Sequence, residues 1–225
     1  MNKKIILAIA IVLPLIPLIE LASQLGADLA GDHFPPILAI YYPARVFALV
    51  GFTLMFYQFV IGAKLPVVEK IIDKRGKLLK THRTLGKWGG ILMLLHGLLL
   101  LMFDVAETGG LVWEPGRLLG ITGLFLIIAA VVAAWWFKPL QFSYNTWKRI
   151  HLLAYAVFPI IFLHAFMLGS TVQQSVPTHI LFSAMFVIYL GIVGYKLFGP
   201  NQKQSAKKKK PAAEAATKDT AGESG

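Results

Sequence analysis

His82-Arg83-Thr84-Leu85-Gly86-Lys87-Trp88-Gly89-Gly90-Ile91-Leu92-Met93-Leu94-Leu95-His96 is the stretch on which the reading of this chain turns. Two histidines, fourteen residues apart, bracket a strongly apolar run. A second such stretch runs from His151 to His164, thirteen residues on, through Leu-Leu-Ala-Tyr-Ala-Val-Phe-Pro-Ile-Ile-Phe-Leu. Ionisable side chains at membrane depth are costly, so histidines placed there point to a functional site. The first question is therefore whether these runs cross a bilayer.

Composition says that they do. Of 225 residues, 56% are hydrophobic and only 15% are charged, and the mean hydropathy is +0.66. Six apolar segments, at 5–22, 38–62, 84–103, 118–137, 150–169 and 178–198, each approach the roughly 20 residues that span a bilayer as a helix. The connections alternate in charge. Lys3 and Lys4 open the chain, and Asp28 and Asp32 follow the first segment without a base. A basic connection from Lys64 to Arg83 comes next, then an acidic one with Asp104, Glu107 and Glu114. Lys138, Lys148 and Arg149 form another basic connection, and Lys203 and Lys207 to Lys210 lie in the tail. Basic loops mark the cytoplasmic side, so six crossings place both termini in the cytoplasm. The expected fold is an all-α membrane protein, a six-transmembrane-helix bundle with a disordered basic tail. Its divisions are an N-terminal helix and outer loop at 1–37, a membrane domain at 38–198 and the cytoplasmic tail at 199–225. The opening Lys3-Lys4 and apolar run also fit a signal peptide, although the run is longer than a usual apolar core of that kind.

The formal charge of +11 does not indicate nucleic acid, because the basic residues flank apolar segments. The lysines of the tail suit a topology anchor touching anionic lipid, or a docking site for an acidic partner. With no cysteine there is no thiolate site, iron–sulfur cluster or covalent haem attachment.

In the six-crossing topology, segments three and five run in the same direction. At 1.5 Å per residue the histidines of each segment lie about 21 Å and about 20 Å apart. His82 thus matches His151 in depth near the cytoplasmic side, and His96 matches His164 near the outer side. Each pair can clamp one iron from both faces, leaving no open coordination position, which suits electron transfer. The expected cofactor is non-covalent haem b, two per chain. Fourteen residues at 100° each return to within about 40° of the starting face, but thirteen end about 140° away. Pro159, between His151 and His164, is the expected point of adjustment. His33 and His179 lack such pairing and are expected at the membrane interface.

The motif from His82 to Gly86 with His96, and Trp147-Lys148-Arg149-Ile150-His151-Leu152-Leu153-Ala154-Tyr155 with His164, resembles the ferric reductase-like transmembrane domain. That superfamily includes ferric reductases, NADPH oxidases and the haem subunit of the bacterial methionine sulfoxide reductase system. The unequal spacing is its pattern, whereas the dihaem cytochrome b of quinol oxidation has more equal spacings. The resemblance spans 38–198 and implies that His82, His96, His151 and His164 are haem-iron ligands. It also places an arginine near the start of the second helix, where Arg45 stands, as a candidate propionate partner; snorkelling is the alternative. Arg83, Lys148 and Arg149 lie at the level of the inner pair and either neutralise its propionates or only mark topology. Trp88 and Phe158, near mid-depth, are candidates to fill the gap between the levels.

Members of this superfamily commonly continue into flavin and nicotinamide domains. Here no GxGxxG follows a strand and no P-loop occurs. The resemblance therefore implies a stand-alone electron-transfer subunit in the cell (inner) membrane. Its donor would be a separate flavin reductase or quinol, with quinone or flavin supplied by the partner. Its acceptor would be an extracytoplasmic protein. One alternative is a ferric reductase acting directly on chelated iron, and another is a haem-free scaffold or transporter subunit.

Overall fold

The computed structural model describes residues 3–31, 33–65, 68–69, 75–136 and 139–198. The expected disordered tail, 199–225, lies outside the described residues, as do Asp32, Lys70, Asp73, Lys74 and Lys138. Among the described residues every regular element is a helix: α1 (Lys3–Val12), α2 (Leu15–Leu29), α3 (Leu38–Gly62), α4 (Arg75–Thr108), α5 (Pro115–Trp135), α6 (Tyr144–Leu152), α7 (Ala154–Leu168), α8 (Ser170–Gln174) and α9 (Val176–Phe198). They provide six stretches long and apolar enough to cross a bilayer: Ala8–Leu29, Leu38–Gly62, Gly76–Thr108, Pro115–Trp135, Tyr144–Leu168 and Val176–Phe198. The chain is a multi-pass membrane protein. One compact unit runs from Met1 to Tyr189. A second begins at Leu190, and its described residues, 190–198, are helical.

Three spans reach further than their apolar runs, the fifth by beginning at Tyr144. The first continues to Leu29, so Asp28, expected in an outer loop, sits in the last turn of α2, where it accepts a hydrogen bond from Tyr42 Oη. The third begins at Gly76, because Lys77, Lys80 and Arg83 favour helix and nothing before His82 breaks it. His82 consequently lies inside α4 rather than at its end. At the C-terminal end of α4, Gly109 takes a left-handed conformation (φ +74°), the glycine stop of a helix C-terminus. Arg117 then ties α5 back to α4, pairing with Asp104 and with Glu114 at 2.9 Å.

Two prolines at membrane depth are answered by neighbouring helices. Pro14 has no N–H for the carbonyl of Ala10, four residues back, and Tyr57 Oη donates to that oxygen at 2.6 Å. Pro159 likewise leaves the carbonyl of Tyr155 free, and Tyr189 Oη donates to it at 2.5 Å. Pro159 sits inside a continuous α7. The adjustment needed between His151 and His164 lies elsewhere, at Leu153, where α6 ends and α7 begins. There Leu153 N donates to Ile150 O at 3.0 Å and Ala156 N to Leu153 O at 2.8 Å, both three-residue bonds. Such 3₁₀-type turns advance about 20° more per residue than an α-helix. The extra winding turns His164 back toward the face of His151.

The interior at mid-depth is aromatic. Phe158, 0% exposed, meets Phe52 at 4.9 Å, Tyr189 at 4.7 Å and Phe59 at 5.2 Å between ring centres. Trp88 is 55% exposed and points out of the bundle, so it does not fill the gap. Phe158 occupies the interior position that the sequence suggested.

Candidate site: two histidine pairs

α4 and the α6–α7 segment bring the four histidines together as two separate pairs. The rings of His82 and His151 lie 6.2 Å apart between centres, inclined at 76°. The rings of His96 and His164 lie 6.2 Å apart, inclined at 62°. A metal bound on a line between two imidazole nitrogens holds the ring centres roughly 6 Å apart, since each bond is about 2 Å long. Both pairs have that spacing. His33 is exposed; His179 is exposed and lies 4.7 Å from the ring of Phe166. Neither joins a pair.

Backbone carbonyls set the outer rings. His96 Nδ1 donates to Ala44 O at 3.0 Å, and His164 Nδ1 donates to Gly116 O at 2.8 Å. A carbonyl only accepts, so in both rings the proton sits on Nδ1 and Nε2 keeps its lone pair. That is the arrangement by which a second partner orients a metal-binding imidazole. Glycine makes room for it: a Cβ on Gly120 would meet His164 Cε1 at 2.6 Å and Nδ1 at 2.8 Å.

A cavity of about 520 Å³ surrounds the outer pair. Its walls are apolar side chains of α3, α4, α5 and α7, among them Leu49, Met93, Leu124 and Ile161. Phe52 and Phe182, stacked at 4.3 Å, also line it. Arg45, Asp104 and Arg117 line it as well. An apolar cleft with a few convergent polar groups is the usual form of a cofactor site. The two arginines differ. Arg117 is held by two carboxylates, whereas Arg45 donates to Gln24 Oε1 and to Thr171 Oγ1 (2.6 Å), both neutral oxygens. The rings of Tyr41 and Tyr42 flank the Arg45 guanidinium at 5.1 and 5.4 Å.

The inner pair is supported differently. Trp147 stacks on the His151 ring at 5.1 Å and 10°. Gly62 faces His82, its Cβ position 3.2 Å from Cε1, so a side chain there would press on the ring. The Nδ1 of His82 is buried and has no hydrogen-bond partner among the described residues. Arg83, Lys148 and Arg149 are exposed.

Sequence reasoning missed Gln24, Thr171 and Arg117. A polar residue in a connection between apolar runs carries no sign that it faces a cavity. The glycines at 116 and 120 offered a weak signal, a small residue repeated one helical turn apart where another helix closes in.

The fold and the site thus define a multi-pass helical membrane protein with paired histidines on two spans. The pattern of the ferric reductase like transmembrane component matches residues 47–162, just over half of the chain, and the chain belongs to that family. The matched region includes His82, His96 and His151; Arg45 and His164 stand just outside its two ends. No curated protein and no solved structure matches the chain.

Proposed function

We propose that the chain carries electrons across the membrane through two b haems, one held by His82 and His151 and the other by His96 and His164. A single observation carries this reading: two histidine pairs on the same two spans, each at a ring separation of 6.2 Å. Four histidines arranged this way have no comparable use in a haem-free scaffold. When bound, such a haem would supply a one-electron couple.

The chain's own residues do the rest. Ala44 O and Gly116 O hold the outer imidazoles with Nε2 directed inward and raise their basicity. Arg45 places a cation at the end of the outer cavity with only neutral hydrogen-bond partners among the described residues, so a propionate is the anion that suits it. Arg117 is already met by Asp104 and Glu114 and has less to offer one. Phe158 lies seven residues beyond His151 and six before His164, and with Phe52 and Phe59 it keeps water out of the space between the pairs. The loop charges set the orientation, with the inner pair facing a cytoplasmic flavin reductase or membrane quinol as donor. The outer pair serves an extracytoplasmic acceptor, a protein or chelated iron.

The test is the haem-to-protein ratio of the purified chain with its reduced-minus-oxidised spectrum. Two equivalents of low-spin b haem are expected. One equivalent or none rejects the two-haem reading. Reduction of chelated iron without a protein acceptor would assign the reductase role to this chain itself.

A further inference from the structure

Gln58 and Gly86 meet at the inner pair. Gln58 Nε2 donates to the backbone oxygen of His82 at 3.1 Å, reaching from α3 to α4. Gly86 is the residue one helical turn after His82, and its N–H belongs to the same carbonyl in a regular helix. The Gln58 amide lies where any side chain at 86 would begin: a Cβ there would fall 1.9 Å from Nε2. The bond and the glycine form one device, since the amide reaches His82 O only because Gly86 has no Cβ.

We propose that Gln58, admitted by Gly86, is the positioning residue of the inner histidine pair. The proposal rests on the haem reading above. In the outer pair each ring is hung by its Nδ1 from a carbonyl of another helix. His82 lacks that restraint, because its buried Nδ1 has no partner among the described residues. Its orientation must then come from the backbone that carries it. Gln58 grips that backbone at the ligand's own carbonyl, across the closely packed α3–α4 contact. The same helix supplies Gly62 beside the His82 ring, so α3 fixes both the position of the ligand and the space for it.

Two substitutions break the bond by different routes. Gln58→Ala removes the donor. Gly86→Ala leaves the donor in the chain but drives it away from the carbonyl. One net hydrogen bond corresponds to roughly a 2- to 12-fold change in affinity. Each single variant should weaken inner-haem retention by that factor and shift the inner haem's midpoint, leaving the outer haem unaltered. Because both break one bond, the double variant should be no worse than the worse single variant.

The experiment is haem content and two-component redox titration on the full-length chain, with His82→Ala marking the inner component. If Gln58 only fills space, Gln58→Ala alone will leave the inner midpoint unchanged, and Gln58→Ala will rescue Gly86→Ala. That result overturns the proposal while the haem reading stands. A wild-type chain without a His82-dependent haem overturns the haem reading itself. Gln58→Met has nearly the same size but no hydrogen-bond donor; an unchanged inner midpoint in that variant also counts against the proposal.

Discussion

Gly120→Ala tests the geometry of the outer pair without touching a ligand. The added methyl would lie 2.6 Å from His164 Cε1 and 2.8 Å from Nδ1. Carbon atoms in contact rest about 3.5–4.0 Å apart, so the ring must retreat by about 1 Å. Metal–nitrogen bonds tolerate errors of about 0.2 Å, and the retreat also strains the 2.8 Å bond from Nδ1 to Gly116 O. Losing a partner that orients a ligand typically lowers metal affinity about 10- to 100-fold, and the overpacking adds about 1–3 kcal/mol of strain. The outer haem should therefore be lost or weakened while the inner haem stays. Haem-to-protein ratio and redox titration read this directly, with thermal denaturation as a check on folding. Gly26→Ala is the control, because a Cβ at Gly26 meets nothing within 4 Å. A folded Gly120→Ala chain with wild-type haem content and both midpoints unchanged would refute the assignment of His164 as a ligand held in this orientation.

Replacing His82 or His151 with Ala should remove the inner haem, and replacing His96 or His164 the outer one; quantitative haem analysis of the four variants must sort them into those two groups. Arg45→Ala leaves a propionate unpaired and should lower outer-haem retention and its midpoint, with Arg45→Lys intermediate, whereas unchanged titrations of both would return Arg45 to snorkelling. Tyr189→Phe should cost about 0.6–1.7 kcal/mol, the range for hydrogen bonds within membranes, and much less in a Pro159→Ala background where the Tyr155 carbonyl regains its helical partner; equal costs in the two thermal denaturation series would show that the bond does not answer the proline. A tag after Gly225 should resist protease added from the outer face, and ready cleavage would mean an odd number of crossings.

The architecture was legible because the two signals that define it are one-dimensional. Hydropathy located six spans, and the pairing of His82 with His151 and His96 with His164 followed from depth alone. Rotation about each helix was not legible. Lipid-facing and core-facing positions are both apolar, so Trp88 and Phe158 look alike in sequence though one faces outward and the other lies in the interior. The same blindness hid the break at Leu153, which no proline or glycine marks, and made Pro159 the apparent kink. Gln58 and Gln24 were silent for another reason. Each acts through a partner 21 or 24 residues away, and nothing local announces that partner.

The tyrosine hydroxyls that answer the two prolines have a consequence for biogenesis. During insertion, α1 enters the bilayer with the Ala10 carbonyl unmet until Tyr57 of α3 arrives. α7 follows with the Tyr155 carbonyl unmet until Tyr189 of α9 arrives. A nascent chain halted before residue 189 therefore carries one bare carbonyl in the helix that bears His164. Arrival of α9 closes that gap and completes the helix that faces α4.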